Sequence, residues 1–219
     1  MRNTIKHVLA ACLMCASWLP HAAVQAGSYE NFFKAIDLDH VKSVNVLLQR
    51  GMDPNTITEN GTPALIHAMS KGALAAVNAL LQTPNLDVNL RDFKGDTALM
   101  LASYKNQTEW VRALLQRGAT HTEAGRWNAL HYAASSGAMG TIHLLLKAGA
   151  DVNVHSENNT TPLMMAARSG QAAAVHLLIK HGAEPKLIND AGFDAEAYAM
   201  KAKRPDLARE IRDDYNQNF

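Results

Sequence analysis

The stretch from Asn128 to Asn153, NALHYAASSGAMGTIHLLLKAGADVN, recurs almost in register from Thr161 as TPLMMAARSGQAAAVHLLIKHGAEP, and this internal repetition constrains the fold more than any other feature of the chain. One copy reads as a short helix with small residues on one side, Ala133 and Ala134, ended by Gly137. A second helix then carries Ile142, Leu144, Leu145 and Leu146. Gly149 closes it at a left-handed position where a Cβ would clash. The Ala-Asp-Val-Asn run that follows is turn-prone, because Asp and Asn side chains bond nearby backbone groups. Two helices of this size cannot bury their apolar faces alone, so the copies must stack on one another.

Further copies extend along nearly the whole chain. With the Leu of the TPL-like triplet as marker, equivalents fall at Phe32, Leu65, Leu99, Leu130, Leu163 and, weakly, Glu196, at spacings of 33, 34, 31, 33 and 33 residues. Seven positions later a brake on the first helix falls at Asp39, Gly72, Asn106, Gly137, Gly170 and Lys203. The second-helix cores align as Val44-Leu47-Leu48, Val77-Leu80-Leu81, Val111-Leu114-Leu115, Ile142-Leu145-Leu146, Val175-Leu178-Ile179 and a degenerate Ala208-Ile211. Together TPLHxAA, a Gly, a V-x-x-LL core and GADVN resemble the ankyrin repeat over about residues 29 to 215. The resemblance implies an all-α solenoid of paired antiparallel helices joined by β-turn loops. About six repeats are expected, at 28–60, 61–94, 95–126, 127–159, 160–192 and 193–219, with degenerate N- and C-terminal caps.

The first 26 residues do not share the pattern. Arg2 and Lys6 form a basic start, Val8 to Leu19 is an apolar run of 12 residues, and Pro20 breaks it before Val24-Gln25-Ala26. This is the pattern of a secretory signal peptide, with cleavage expected between Ala26 and Gly27. The run falls short of the ~20 residues a permanent membrane helix needs. Leu9-Ala10-Ala11-Cys12 also matches a lipidation box, although few apolar residues precede it and the apolar run continues past Cys12. Cys12 and Cys15 are the only cysteines, so a cleaved chain has no disulfide staple and no thiol redox chemistry. Cleavage removes two basic residues and leaves 19 against 20 acidic ones, a net charge of −1. That balance argues against nucleic acid or an anionic membrane as partner.

The ends of the array carry charge where the middle does not. In YENFFKAID, Phe32, Phe33 and Ile36 face the next repeat, while Glu30, Lys34 and Asp37 are expected in solvent. At the far end Glu196 stands at the Leu position and Lys201, Lys203, Arg204, Arg209, Glu210, Arg212, Asp213 and Asp214 crowd the last pair. Two connections depart from the repeat. The second copy ends TPNLDVN, with Pro84 where the Gly belongs. The third ends GATHTEAGRW, two residues short, which clips its loop tip and places Arg126 and Trp127 on it. A Trp there either covers a packing gap or anchors an interface.

The ankyrin resemblance implies that variable inner-helix positions line a concave groove extended by the loop tips. Carried onto this chain, one ladder is His67, Leu101, Tyr132 and Met165. The next is Ser70, Tyr104, Ser135 and Arg168, with Lys71, Lys105, Ser136 and Ser169 beside it. The tips add Thr58, Glu59, Arg91, Asp92, Phe93, His155, Glu157 and Phe193. Tyr, Trp, Phe, Met and Arg are enriched at interfaces, so the expected partner-binding set is His67, Lys71, Phe93, Leu101, Tyr104, Lys105, Trp127, Tyr132, Ser135, Met165 and Arg168. The competing reading packs Leu101 and Tyr132 between helices.

Chemistry finds little in this sequence. His131 holds the TPLH position, where the resemblance gives it a bond to the loop backbone. His143 and His176 are one repeat apart, but the same position holds Asn78 and Arg112, so no third metal ligand is in register. HExxH, GxSxG and a Gly-rich phosphate loop are absent from the sequence, the Cys12-to-Cys15 CxxC lies inside the expected leader, and the Asp-Val-Asn turns lack the Gly and closing Glu of a calcium loop. The expectation is a monomeric, non-enzymatic, periplasmic protein without cofactors, binding another protein and neither nucleic acid nor, stably, the membrane. It resembles the small exported ankyrin proteins of proteobacteria, some associated with a periplasmic catalase and peroxide defence, others with neutralising toxic effectors. A binder of peptidoglycan or another small periplasmic ligand, stacking on Trp127 and Tyr132, is the alternative.

Overall fold

The computed structural model describes residues 19–122 and 125–218, with side chains over most of 27–214. The expected leader lies outside the described residues as far as 18, and residues 19–26 form the first turns of the first helix. Among the described residues the chain is all-α, in helices α1 (Leu19–Asp37), α2 (Val41–Gln49), α3 (Ala64–Lys71), α4 (Leu74–Gln82), α5 (Ala98–Tyr104), α6 (Thr108–Gln116), α7 (Ala129–Ser136), α8 (Met139–Lys147), α9 (Pro162–Arg168), α10 (Ala172–Lys180), α11 (Ala195–Lys201) and α12 (Pro205–Asn218). They alternate as inner and outer members of six pairs. Contacts divide the chain into two compact units, Met1–Leu86 and Asp87–Phe219.

The first unit holds α1 to α4. Phe32, Phe33 and Ile36 of α1 are buried, while Glu30, Lys34 and Asp37 face solvent, as an end repeat requires. In the second unit the inner helices pack in the order α5, α7, α9, α11 and the outer helices in the order α6, α8, α10, α12. Val111, Leu114, Ile142, Leu145, Val175 and Leu178 are sealed between the layers. The second Leu of each V-x-x-LL core is less uniform: Leu81 is buried, but Leu48, Leu115 and Leu146 are half-exposed on the outer layer. In the last copy Leu207, Ala208 and Ile211 still fill the core position.

Every brake position takes up the left-handed backbone. The φ values are +49° at Asp39, +73° at Gly72, +53° at Asn106, +69° at Gly137, +68° at Gly170 and +60° at Lys203. An α-helix cannot propagate through such a residue, so the inner helix ends there and the chain doubles back into the outer one. Three of these residues have side chains. At Asp39 the side chain repays part of the strain, because its carboxylate accepts the backbone N–H groups of Ala75 and Ala76 at 3.2 and 2.8 Å at the start of α4.

The loop tips are also built by one rule. In the first unit Thr58 N–H donates to the Thr62 carbonyl at 2.8 Å, Gly61 N–H returns to Thr58 at 2.8 Å, and Thr62 N–H meets Thr58 Oγ1 at 3.0 Å. The second unit repeats this closure around Asp92–Asp96, Ser156–Thr160 and Asn189–Phe193. Below the tips, Asn side chains tie one repeat to the next. Asn89 Nδ2 donates to the Gly118 carbonyl at 3.3 Å and Asn153 Nδ2 to that of Gly182 at 3.2 Å. Their Oδ1 atoms accept the N–H groups of Thr120 and Glu184 at 2.8 and 2.9 Å. The third copy has lost this Asn, and His121 Nε2 reaches the Ala148 carbonyl at 2.9 Å instead.

Candidate functional site

Asn128 caps α7, its Oδ1 accepting the N–H groups of Leu130 and His131. His131 is fully buried there, and its Nε2 donates to the Thr160 carbonyl at 2.9 Å, the loop-to-helix bond that the resemblance implied. Burial pushes its pKa down to about 4 against a smaller opposing effect of the Thr160 bond. In the third and fifth copies Met100 and Met164 occupy this position, and their sulfurs accept the N–H of Thr97 and Thr161 at 3.4 Å. A thioether accepts but cannot donate to the next loop.

Trp127 stands immediately before this cap. Its indole stacks on the His131 ring, with centroids 6.3 Å apart and planes 14° from parallel, and meets Tyr132 edge-on at 5.7 Å. Tyr132 in turn meets Tyr104 edge-on at 6.3 Å. The Trp127 indole thus covers His131 with one face, while the residue remains 37% exposed. Tyr104 is 55% exposed and Tyr132 half-buried, so the three rings form one continuous row opening to solvent. The Tyr132 hydroxyl donates to Asp96 Oδ1 at 2.7 Å, and burial followed by this carboxylate holds the phenol neutral well above its ordinary range.

The shortened third loop shapes the space beside the row. Gly125 N–H donates to the His155 carbonyl at 2.8 Å, folding the clipped loop against the next copy. Arg126 lies over Gly95, so close that a Cβ there would fall 2.9 Å from its guanidinium nitrogen. What remains is a notch of about 370 Å³ lined by Lys94, Gly95 and Asp96 on one side and Ser156, Glu157 and Asn158 on the other, with Arg126, Trp127 and Tyr132 between them. Phe93, at the neighbouring tip, is 68% exposed with the Lys94 ammonium 5.4 Å from its ring centre.

Leu101 and Ser135 are half-buried, the Ser135 hydroxyl lying 3.1 Å from that of Ser169, and Lys105 and Arg168 are exposed. Met165 corrects the expectation. It is only 3% exposed, because α9 is packed by α7 on one side and α11 on the other and is buried from Pro162 through Ala167. A flexible thioether at that place fills the interior and offers no surface to a partner. In the first unit His67 Nε2 lies 2.8 Å and Lys71 Nζ 3.5 Å from Asp37 Oδ1, so both candidates are engaged within the fold. Two residues were missed: Tyr198 and Lys201 continue the Met165 and Arg168 ladders by a further 33 positions. His143 and His176 are both exposed. His176 sits between Asp214 at 2.7 Å and Glu210 at 3.3 Å, and no metal-holding cluster occurs among the described residues.

The family description of ankyrin repeats in three copies matches residues 32–124, 65–156 and 130–218, overlapping across nearly the whole array. The chain belongs to the ankyrin-repeat family. An ankyrin repeat-containing protein of Treponema pallidum is 30% identical over 187 residues, covering 82% of this chain and 61% of that protein. The human transient receptor potential cation channel subfamily A member 1 is 29% identical over 139 residues, 59% of this chain and 12% of the channel. The Drosophila E3 ubiquitin-protein ligase Ufd4 is 33% identical over 109 residues, 50% of this chain and 4% of the ligase. The chain therefore spans less than two thirds of each of these relatives. Ankyrin repeats are in general protein-binding modules rather than catalysts. No helix among the described residues is long and apolar enough to cross a membrane.

Proposed function

We propose that this ankyrin-repeat protein is exported to the bacterial periplasm and there binds a partner protein without chemistry, through the face bearing Tyr104, Trp127 and Tyr132. The observation that carries the reading is the row of three aromatic rings, with Tyr132 meeting Tyr104 on one side and Trp127 on the other, opening to solvent beside the notch. Rigid aromatic groups of this kind dominate interface energetics because they bury large area at small entropic cost. The basic, then apolar, then small-residue order of residues 1–26 supports export. A catalase of peroxide defence and a toxic effector are the two partner classes that the sequence resemblance offers.

The chain carrying a C-terminal affinity tag, purified from periplasm, tests this. The N-terminus should begin at Gly27. A partner captured by the wild-type chain should be lost from a Tyr104→Ala/Tyr132→Ala variant that melts as a folded protein. Retention of the partner by that variant overturns the site, and recovery of the chain in the cytoplasm with residue 1 intact overturns export. Muropeptides that quench Trp127 emission with no protein partner captured would replace this reading with a small-ligand one.

A further inference from the structure

Between α9 and α11 a second cleft of about 410 Å³ opens, lined by Arg168, Ala191, Phe193, Tyr198, Lys201 and Ala202. Its charged lining residues are both cations. Arg168 and Lys201 are exposed, and among the described residues neither has a carboxylate partner. Lys201 instead lies 4.5 Å from the centre of the Phe193 ring, which is tilted against Tyr198 at 5.5 Å. Tyr198 is fixed from behind by Asn189, whose Nδ2 donates to the phenol oxygen at 2.7 Å.

The carboxylates nearest in sequence make their contacts elsewhere and form no ion pair with either cation. Asp190 accepts from Asn159 Nδ2 at 2.7 Å. Asp194 caps α11 through the N–H of Ala197 at 2.8 Å. Glu196 is bonded by Arg212 and by Lys186, and the Arg212 bond holds its pKa below the usual carboxylate range. The cleft thus keeps two cations uncompensated against an aromatic floor, although sequence and fold supply acids within a few residues.

We infer that this cleft takes an acidic peptide segment of a protein partner, with carboxylates on Arg168 and Lys201 and an apolar side chain on Phe193 and Tyr198. Arginine offers a fixed fork to a carboxylate, and the aromatic floor gives the peptide area that a bare anion could not use. The inference rests on the partner-binding reading in general and adds the partner's chemistry, but it uses none of the three rings that carry that reading.

The test is fluorescence anisotropy of the full chain with a fluorescein-labelled peptide, Asp-Leu-Glu-Asp-Phe-Glu, against the same peptide with Asn and Gln in place of its acids. The acidic peptide should bind and the neutral one should not. Arg168→Gln/Lys201→Gln, both exposed positions, should weaken binding about tenfold or more with an unchanged melting curve. Tyr104→Ala/Tyr132→Ala should leave it intact. No binding of the acidic peptide, equal binding of the neutral one, unchanged affinity in the double Gln variant, or displacement by inorganic phosphate as effective as by unlabelled peptide each overturns the inference. If the aromatic variant loses its captured partner while the acidic peptide fails to bind, only the present inference falls. If the peptide binds and the aromatic variant keeps its partner, only the earlier one does.

Discussion

The Tyr132 phenol, half-buried in α7, donates a 2.7 Å hydrogen bond to Oδ1 of Asp96, the last residue of the preceding loop tip. The ring that borders the notch is therefore fixed by the same tip that forms one of its walls. Tyr132→Phe keeps the ring and deletes the bond, so it should cost about 1.5 kcal/mol in urea unfolding and retain the captured partner. Tyr132→Ala should lose both stability and partner. Equal stability of the Phe variant and wild type would show that the bond contributes nothing.

His131 makes the fold acid-sensitive. Its folded pKa is pushed down to about 4 by burial, whereas an unfolded histidine titrates near 6.5. Between those values the unfolded chain takes up a proton that the native chain refuses, so stability present above about pH 6.5 is lost as the pH falls toward 4, by on the order of 3 kcal/mol. His131→Met, the residue that the third and fifth copies use at this position, should flatten that part of the stability-versus-pH curve. It should also lower stability at neutral pH by about 1 kcal/mol through loss of the Thr160 bond. Denaturant titrations at pH 7, 5.5 and 4.5 check both.

Leu145 is sealed between inner and outer layers. Leu145→Asp places an unpaired carboxylate there, which should cost more than about 4 kcal/mol. Because repeat stability is a sum over neighbours, thermal unfolding should split into two transitions or folding should fail. A single unshifted transition would contradict the stacking.

Lys203 pays for its place at the end of α11. An L-residue at its φ of +60° is strained by about 1 to 2 kcal/mol, of which glycine would return part in chain entropy. Lys203→Gly should therefore raise stability by up to about 1 kcal/mol, read as a higher melting temperature.

The repeat made the architecture legible because each brake has a backbone requirement that the sequence shows directly. Even where Asp39, Asn106 and Lys203 replace glycine, the 33-residue spacing located the turn and the positive φ followed. The clipped third loop was legible for the same reason, since a two-residue deficit has to remove something from a tip. Burial was less legible. Counting along the ladder placed Met165 on the surface, but whether a ladder position is open depends on the size of its neighbours on both flanking helices. Tyr198 and Lys201 were hidden by Glu196, whose departure from the Leu pattern made the last copy look like a solvent cap only. Adding 33 to Met165 and Arg168 would have found them.

The notch beside Trp127 is a shape made by omission. Each full tip closes through hydrogen bonds to itself, so one tip can be trimmed while the others keep their own closing bonds. A chain built this way can acquire or lose a recognition contour by changing two loop residues, while the helical layers beneath keep their packing.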